Sequence, residues 1–257
     1  MLRVRLKWFF NHYQQITNDT GIYNEELHGA PTYKTDGLIT SNNADFIREP
    51  RFAAAYQKAA ETQPWENFSL QWRTYVVCWF ADQVKHLAGD FVECGVNTGA
   101  YAAAVINYTR LNATEKKFFL LDTFKGLDES LVSEEEKKAG ISRYIHAYKD
   151  VYDQVVRTFS PFPNVRIIRG RVPDTLPQCT AEKICYLSID MNCVEPEIAA
   201  IHYFWSKVVA GGVIILDDYG FPMHIHQKEA FDKFALEKGV TILSLPTGQG
   251  IIFKPDL

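Results

Sequence analysis

The chain of 257 residues lacks the features that mark several large classes of protein. It has only five cysteines, an odd number, and no two of them have the C-x-x-C spacing of a zinc site or redox motif. This cysteine usage argues against a disulfide framework or a zinc site and indicates a reducing compartment, so a cytoplasmic location is expected. No apolar run approaches the ~20 residues of a membrane-spanning helix. The N-terminus also lacks the long apolar region and cleavage site of a signal peptide.

Positive charge is not in excess either. The chain has 27 basic and 31 acidic residues, which gives a formal net charge of −4. Proteins that bind nucleic acids usually carry a basic excess or a basic stripe, so no nucleic-acid partner is expected. Basic residues do alternate with apolar ones over Met1–Phe10, where a solvated helix face is favoured over a surface helix that contacts a partner subunit or a membrane. The hydrophobic fraction of 47% is typical of a folded globular protein and excludes a disordered chain.

The two ends of the chain are organised differently. The first 65 residues lack a regular alternation of strands and helices. Within them, Asn18–Asn43 is predicted as loop because it is rich in Asn, Thr, Gly and Asp, and Glu49–Thr62 is predicted as a helix. We therefore predict an N-terminal helical and loop extension over residues 1–65, acting as a lid or a subunit contact. A single catalytic domain is predicted over residues 66–257.

The second region begins with a long predicted helix, Leu70–Leu87, and then alternates strands with helices. Strands are predicted at Asp90–Cys94, Lys117–Leu121, Val165–Arg169, Ile184–Ile189, Val213–Leu216, Val240–Leu245 and Gly250–Lys254. Helices are predicted at Ala100–Leu111, Glu134–Lys138, Val151–Phe159, Glu195–Val209 and Gln227–Lys238. This order predicts an α/β fold with a Rossmann-like, doubly wound, mostly parallel seven-stranded sheet. The two successive strands at the end predict one antiparallel strand.

The turn after the first of these strands carries the first chemical signal. It reads Glu93-Cys-Gly-Val-Asn-Thr-Gly99, and its glycines would let a ligand approach the backbone at the start of a helix. The spacing is not the G-x-G-x-x-G of dinucleotide folds, which disfavours a pyrophosphate ligand. The second strand ends at Asp122, where a carboxylate can accept hydrogen bonds from a ribose diol. Together these features favour an adenosine-type cofactor over a purely structural turn and cap.

Three aspartates provide the second signal. Asp190 follows one predicted strand, and Asp217 and Asp218 follow the next. Neighbouring parallel strands end at the same edge of a sheet, so these carboxylates would converge and repel one another. A hard divalent cation with oxygen ligands, Mg²⁺ above all, would relieve that repulsion. The alternative is an Asp-Asp pair that caps the turn before Tyr219.

Four segments of the chain resemble one enzyme family. They are Gly89-Asp-Phe-Val-Glu-Cys-Gly-Val, Asp122-Thr-Phe-Lys-Gly-Leu, Gly170-Arg-Val-Pro-Asp-Thr-Leu-Pro and Gly211-Gly-Val-Ile-Ile-Leu-Asp-Asp-Tyr-Gly. In combination they resemble the class I S-adenosylmethionine-dependent methyltransferases, and more narrowly the macrocin-type O-methyltransferases. The resemblance implies methyl transfer to a hydroxyl oxygen of a sugar or small natural product, assisted by Mg²⁺.

The resemblance also assigns roles to individual residues. It implies that the methionine end of S-adenosylmethionine is surrounded by Glu93, Gly95, Asn97 and Thr98. Asp122 and the adjacent Thr123 would bind the ribose, and Arg171 and Val172 would lie beside the adenine. The metal carboxylates would be Asp190, Asp217 and Asp218, and the general base would be His146. Homo-oligomers are expected as well.

Some positions depart from the family pattern or leave alternatives. Met191-Asn-Cys193 replaces a second aspartate and a tyrosine, so Asn192 would ligate a metal only through its carbonyl oxygen. His224 and His226 follow the third metal aspartate and would orient substrate or only line a loop. We also hypothesise, from their position in the sequence alone, that the methyl acceptor is contacted by Tyr23, Tyr33 and Asn42-Asn43.

Two other function classes stay open at the level of sequence. A nicotinamide-dependent oxidoreductase is weakened by the glycine spacing, and its only candidate Tyr-x-x-x-Lys pair is Tyr203 and Lys207 on a helix with an apolar face. A protein that binds S-adenosylmethionine without turnover would be favoured by loss of the metal carboxylates, but all three are present.

Overall fold

A computed structural model of the chain describes residues 23–64, 68–145 and 147–256. The chain divides into two compact units, Met1–Ala44 and Asp45–Leu257. The basic segment Met1–Phe10 lies outside the described residues.

The first unit contains a short helix and a hairpin. Helix α1 (Glu25–His28) is followed by the antiparallel strands β1 (Tyr33–Thr35) and β2 (Leu38–Thr40). The two residues between the strands, Asp36 and Gly37, have positive φ angles of 54° and 74°. An Asp-Gly pair in this conformation forms the tight turn that matches the twist of a hairpin. The prediction of loop throughout Asn18–Asn43 was therefore wrong here, because this turn signal was not recognised.

The second unit is built on a seven-stranded sheet with the order β5-β4-β3-β6-β7-β9-β8. Its strands are β3 (Asp90–Cys94), β4 (Phe118–Asp122), β5 (Val165–Arg169), β6 (Ile184–Ile189), β7 (Val208–Leu216), β8 (Leu243–Ser244) and β9 (Gly250–Phe253). Strands β3 to β7 pair in parallel, and β9 is antiparallel to both of its neighbours. The predicted α/β fold, with a mostly parallel sheet and one antiparallel strand, is confirmed.

Helices cover both faces of this sheet. They are α2 (Pro50–Glu61), α3 (Gln71–Val84), α4 (Ala100–Thr109), α6 (Tyr152–Phe159), α7 (Val194–Trp205) and α8 (Ile225–Lys238). The short helix α5 (Glu134–Ala139) lies in the segment between β4 and α6. Alternate side chains of each strand enter different cores, as the pleat requires. Phe91 and Tyr186 pack in the core that includes residues of α2, α3 and α4, and Val92 and Leu187 pack in the core that includes α7 and α8.

Helix α2 belongs to the second compact unit. The sequence analysis placed this helix in the N-terminal extension, but its residues Phe52, Ala55 and Ala59 are fully buried in the main core. The side chain of Arg51 donates a hydrogen bond to the backbone carbonyl of Tyr108 at 2.7 Å, which ties α2 to the end of α4.

The predicted boundary between the helix and the strand near Val209 was wrong. The helix predicted to run to Val209 ends at Trp205, and strand β7 already begins at Val208, which pairs with Ile184. Gly211 and Gly212 therefore lie inside β7 rather than after a helix. A side chain at Gly212 would lie 2.9 Å from the carbonyl oxygen of Val209, so this irregular stretch of strand requires glycine. Among the described residues, no helix is long and apolar enough to cross a membrane.

The register of the sheet determines where the chemical groups lie. Glu93 on β3 is opposite Ser188 on β6, and Ile189 at the end of β6 is opposite Leu216 at the end of β7. The strand order reverses between β3 and β6, and ligands of open α/β sheets bind outside the carboxyl ends of the strands at such a point. Asp122, Asp190 and the aspartates after β7 all lie at this edge.

Candidate active site

A cleft of about 320 Å³ opens at the carboxyl edge of the parallel strands. Every described residue to which the sequence analysis gave a cofactor or metal role lines it. These residues are Glu93, Gly95, Asn97, Thr98, Asp122, Thr123, Arg171, Val172, Asp190, Asp217 and Asp218. The structure thus brings together all of the cofactor and metal candidates, while the candidate base His146 lies outside the described residues. Their binding roles stay predictions.

Asp122 organises the turn after β3. One oxygen of its carboxylate accepts hydrogen bonds from the backbone amides of Val96 and Asn97, at 2.5 and 2.7 Å. The other accepts one from the amide of Phe124 at 2.6 Å. The carboxylate therefore joins the turn between β3 and α4 to the turn after β4. Oδ2 thereby has both of its acceptor sites filled, whereas Oδ1 can still accept one hydrogen bond from a ligand hydroxyl.

The glycines of the first turn have close protein neighbours. Gly95 has a φ angle of +86°, and a Cβ atom there would lie 1.7 Å from the backbone oxygen of Asp190. A Cβ atom on Gly99 would lie 2.4 Å from the ring of Phe159. From the sequence, these glycines were expected to let a ligand approach the backbone. Their closest neighbours in the structure are protein atoms, so both glycines are required by packing as well as by the turn.

Glu93 is a buried acid that forms no ion pair with another described residue. Its side chain is only 1% exposed, and its Oε2 atom has no hydrogen-bond partner among the described residues. Burial raises the pKa of this carboxyl well above its usual range, and the charges of Asp122 and Asp217 raise it further. A buried acceptor of this kind fits a ligand that brings a positive charge or a hydrogen-bond donor.

The three aspartates of the predicted metal site form one cluster. Asp190, Asp217 and Asp218 each offer an oxygen, and these oxygens lie within 4.8 Å of one another. Burial, followed by the charges of the other two aspartates, raises the pKa of Asp190 well above its usual range. Three carboxylate oxygens at this spacing, in a site that disfavours their joint ionisation, fit the oxygen ligands that Mg²⁺ requires.

Two residues near this cluster were missed by the sequence analysis. Arg73 on α3 forms an ion pair with Asp217 (Nη1 to Oδ2, 2.5 Å), and the Gln249 amide donates to the other oxygen of Asp217 at 2.9 Å. Arg73 is the one basic residue in the largely apolar sequence of α3, and this exception could have marked it as a candidate site residue. Gln249 is fully buried in the turn between the last two predicted strands. Nothing in the sequence around it indicates a role at the site.

The loop after β6 is held by Glu197. Its Oε1 atom accepts hydrogen bonds from the backbone amides of Met191 and Asn192, at 2.8 and 3.0 Å. Burial, followed by the charge of Asp218, raises the pKa of Glu197 to about 8. Asn192 has a φ angle of +60°, and its side-chain amide nitrogen donates to Asp190 at 3.4 Å. The nitrogen of this side chain, rather than its carbonyl oxygen, therefore faces the cluster.

None of the histidines among the described residues lines the cleft. His224 is buried, its Nδ1 atom forms a hydrogen bond with Gln227, and it lies 3.7 Å from Oδ2 of Asp218. Burial lowers the pKa of His224. His226 lies 3.5 Å from Glu229, on the first turn of α8. Two tyrosines from the segment before α6, Tyr144 and Tyr148, do line the cleft.

Arg171, which lines the cleft, forms ion pairs with two neighbouring aspartates. The guanidinium of Arg171 lies 2.7 Å from Asp174 and 3.5 Å from Asp128, and it also approaches Ser130 at 3.3 Å. Val172 beside it is buried. Tyr203 and Lys207, the pair considered for an oxidoreductase, do not line the cleft.

A sheet of this strand order, with an acidic cleft at the carboxyl edge of its parallel strands, defines a Rossmann-like α/β protein of the cofactor-binding class. The chain belongs to the macrocin-O-methyltransferase (TylF) family, whose model matches residues 75–243.

Individual relatives agree with this assignment. Demethyldecarbamoylnovobiocin O-methyltransferase from Streptomyces niveus is 25% identical over 144 residues, which make up 52% of this chain and 54% of that protein. The chain thus spans about half the length of this curated relative. The O-methyltransferase NovP superposes with a TM-score of 0.62 at 20% identity, over 71% of this chain and 79% of that one. The calicheamicin methyltransferase CalS11 superposes with a TM-score of 0.59 at 14% identity, over 93% and 100%. At these identities the two structures establish the fold alone.

Proposed function

We propose that the protein transfers a methyl group from S-adenosylmethionine to a hydroxyl oxygen of a sugar or small natural product, with the assistance of Mg²⁺. The observation that carries the proposal is the convergence of Asp190, Asp217 and Asp218 at one end of a cleft that also holds Glu93 and Asp122. Membership of an O-methyltransferase family supports the reaction class, and the natural products named for its relatives support the acceptor class.

The donor would be held by the residues along β3, β4 and β5. In this proposal the buried carboxyl of Glu93 accepts a hydrogen bond from the amine of the methionine moiety, near Gly95, Asn97 and Thr98. Asp122 is already oriented by backbone amides, so the remaining acceptor site on its Oδ1 atom would bind a ribose hydroxyl together with Thr123. Arg171 and Val172 would flank the adenine. Fixed groups of this kind position the methyl group for in-line attack.

The acceptor hydroxyl would lie beside the three aspartates. A divalent cation held by Asp190, Asp217 and Asp218 would lower the pKa of that hydroxyl and orient its oxygen. Each aspartate offers at least one oxygen to the site, and Asn192 presents its amide nitrogen to Asp190 and so does not replace a missing ligand.

A side chain must also accept the proton of the acceptor hydroxyl. We propose His146 for this role. Its neighbours in sequence Tyr144 and Tyr148 both line the cleft, whereas His224 and His226 do not.

Calorimetric titration with S-adenosylmethionine and with NAD tests the donor. We expect binding of S-adenosylmethionine only, and binding of NAD alone would reject the proposal in favour of an oxidoreductase. Mass spectrometry across a library of glycosides and phenols then tests turnover, with a gain of one methyl group in exchange for hydrogen as the expected result. Binding without any turnover across acceptors would favour a non-catalytic binding protein.

The metal is tested by chelation and by substitution. Activity should disappear in a chelator, return with Mg²⁺, and fall by about two orders of magnitude or more in Asp190→Asn. Asp153→Asn, which changes an exposed aspartate of α6, is the matched control and should keep full activity. Unchanged activity in the chelator would reject the metal while leaving methyl transfer in place.

The N-terminal extension is assigned a supporting role in this proposal. We infer that the part of this extension that precedes Asp45 acts as a lid or subunit contact, that its residues Tyr23, Tyr33 and Asn42-Asn43 meet the acceptor, and that the protein is a cytoplasmic homo-oligomer. Sedimentation analysis of the full chain tests the oligomeric state. An unchanged acceptor KM in both Tyr23→Phe and Tyr33→Phe would exclude an acceptor contact through either hydroxyl.

A further inference from the structure

Arg73 places a permanent positive charge beside the carboxylate cluster. It lies on α3, near its first turn, and its Nη1 atom is 2.5 Å from Oδ2 of Asp217. Its side chain is only 13% exposed, and its guanidinium lies 5.0 Å from the centre of the Phe221 ring. An arginine stays charged at any physiological pH, because the guanidinium is not deprotonated in proteins. The charge is therefore a fixed property of this site.

Asp217 is held from both sides. The Gln249 amide donates to its Oδ1 atom at 2.9 Å, while Arg73 pairs with Oδ2. Gln249 is itself oriented, because its own oxygen accepts a hydrogen bond from the hydroxyl of Thr247 at 2.9 Å. The same amide approaches the backbone carbonyl of Arg73 at 3.5 Å. Asp217 is therefore positioned by α3 and by the turn before β9, independently of any ligand.

The charges around the cluster can be added directly. Three ionised aspartates contribute −3 and Arg73 contributes +1, which leaves −2 for a divalent cation to balance. Arg73 also acts against the repulsion within the cluster, because its guanidinium offsets the charge of Asp217, with which it pairs. In the same position, it repels a cation that approaches Asp217.

We propose that Arg73 is a built-in counter-ion of the carboxylate cluster, which holds Asp217 in place before a metal binds and lowers the affinity of the cluster for the metal. The inference rests on the proposed metal site. It makes Arg73 a positioning residue with two opposite effects. Removing its charge should destabilise the metal-free protein and should strengthen metal binding.

Both effects are measurable without turnover. Mn²⁺ serves as the probe, because free Mn²⁺ is followed directly by its electron paramagnetic resonance signal. We expect Arg73→Gln to bind Mn²⁺ at least about tenfold more tightly than wild type, since a nearby like charge has been removed. Its Tm without metal should be lower than that of wild type, and the rise in Tm on adding Mn²⁺ should be larger. Arg73→Lys keeps the charge and should stay within about threefold of the wild-type affinity.

Arg51→Gln is the matched control. Arg51 on α2 also pairs with an aspartate from another element, Asp82 on α3, but neither residue lines the cleft. The substitution should lower Tm without metal and leave Mn²⁺ affinity unchanged. A gain in affinity there would show that loosening the fold, rather than removing the charge beside Asp217, explains the effect of Arg73→Gln.

A double-substitution comparison remains available if Arg73→Gln does not fold. Arg73→Gln/Asp217→Asn leaves neither partner of the ion pair charged, so the cost of an unpaired buried charge is avoided. It should bind Mn²⁺ more tightly than Asp217→Asn alone, because the two proteins differ only at Arg73. The two comparisons are Arg73→Gln with the wild type and Arg73→Gln/Asp217→Asn with Asp217→Asn. If the wild type binds Mn²⁺ but removal of Arg73 leaves binding equal or weaker in either comparison, the counter-ion role is overturned and the proposed metal site is left intact. Failure of the wild type to bind Mn²⁺ would instead overturn the metal site, and with it this role.

Discussion

The buried carboxylate of Glu136 accepts a hydrogen bond from the backbone amide of Val194 at 2.7 Å, between two segments that are distant in the chain. Its other oxygen accepts hydrogen bonds from the amide and hydroxyl of Ser133, at 2.9 and 2.7 Å, in the capping box of α5. Val194 begins α7, directly after the loop that follows Asp190. One carboxylate therefore caps its own helix and joins the segment between β4 and α6 to the candidate metal site.

Glu136→Ala tests this double role. The substitution leaves the amides of Val194 and Ser133 without their acceptor, so the free energy of unfolding should fall by about 2–3 kcal/mol. Urea denaturation measures it. Glu135→Ala, an exposed neighbour on the same helix turn, should change the free energy by about 0.5 kcal/mol or less. Equal losses in the two variants would show that helix propensity, not the link to Val194, explains the effect.

Gly95→Ala should be far more destabilising than the positive φ angle of Gly95 would by itself predict. The new Cβ atom would meet the backbone oxygen of Asp190 at 1.7 Å, and neither segment can move without disturbing β3 or β6. We expect a loss of more than about 3 kcal/mol in unfolding free energy, or failure to fold.

The control is Gly239→Ala at the end of α8. Gly239 also has a positive φ angle, +65°, but nothing lies within 4 Å of the position of its Cβ. Only the backbone strain applies there, about 1 kcal/mol. Similar losses at the two glycines would contradict the close approach of Gly95 to Asp190.

Asp122→Ala should weaken donor binding and stability together. The carboxylate holds the amides of Val96, Asn97 and Phe124, so its removal releases both turns that line this part of the cleft. We expect the affinity for S-adenosylhomocysteine to fall by about tenfold or more and the unfolding free energy to fall by about 1–3 kcal/mol. Asp122→Asn keeps one acceptor oxygen and should lie between wild type and alanine in both measurements. An alanine variant with wild-type affinity would exclude Asp122 from the donor site.

Glu93→Gln tests the raised pKa of this buried carboxyl. A carboxyl whose pKa is higher in the folded than in the unfolded state adds stability below the unfolded pKa of about 4.5, and that stability is lost as pH rises towards the folded pKa. Glutamine does not titrate. The stability of the ligand-free wild type should therefore fall relative to Glu93→Gln as pH rises above about 4.5.

Urea denaturation of both proteins between acidic and neutral pH measures the difference. A difference that stays constant across this range would contradict the raised pKa. The same variant should bind S-adenosylmethionine more weakly, because glutamine cannot supply a negative charge to the donor's amine.

The sheet was predictable because its strands are short and mostly apolar. The predicted limits of Asp90–Cys94, Val165–Arg169 and Ile184–Ile189 agree with β3, β5 and β6 residue for residue. The α7–β7 boundary was not predictable in the same way. Val208 and Val209 fit the apolar face of a helix as well as they fit a strand, and only pairing of Val208 with Ile184 decides between the two.

Side-chain partners that are remote in sequence could not be predicted either, but for a different reason from the α7–β7 boundary. Glu136 and Arg73 both lie in predicted helices, and nothing in their local sequence names Val194 or Asp217 as a partner. A helix can be placed on a sheet by its apolar face, but the partner of one charged side chain depends on the register and tilt of that packing.

The sequence by itself determined the class of the sheet and the position of the carboxylates at the ends of its strands. Both follow from local periodicity and from the rule that parallel strands end at one edge. Only the tertiary structure decided which charges meet there. The ion pair between Arg73 and Asp217, and the amide of Gln249 on the opposite oxygen, join three segments whose distances depend on packing rather than on sequence spacing.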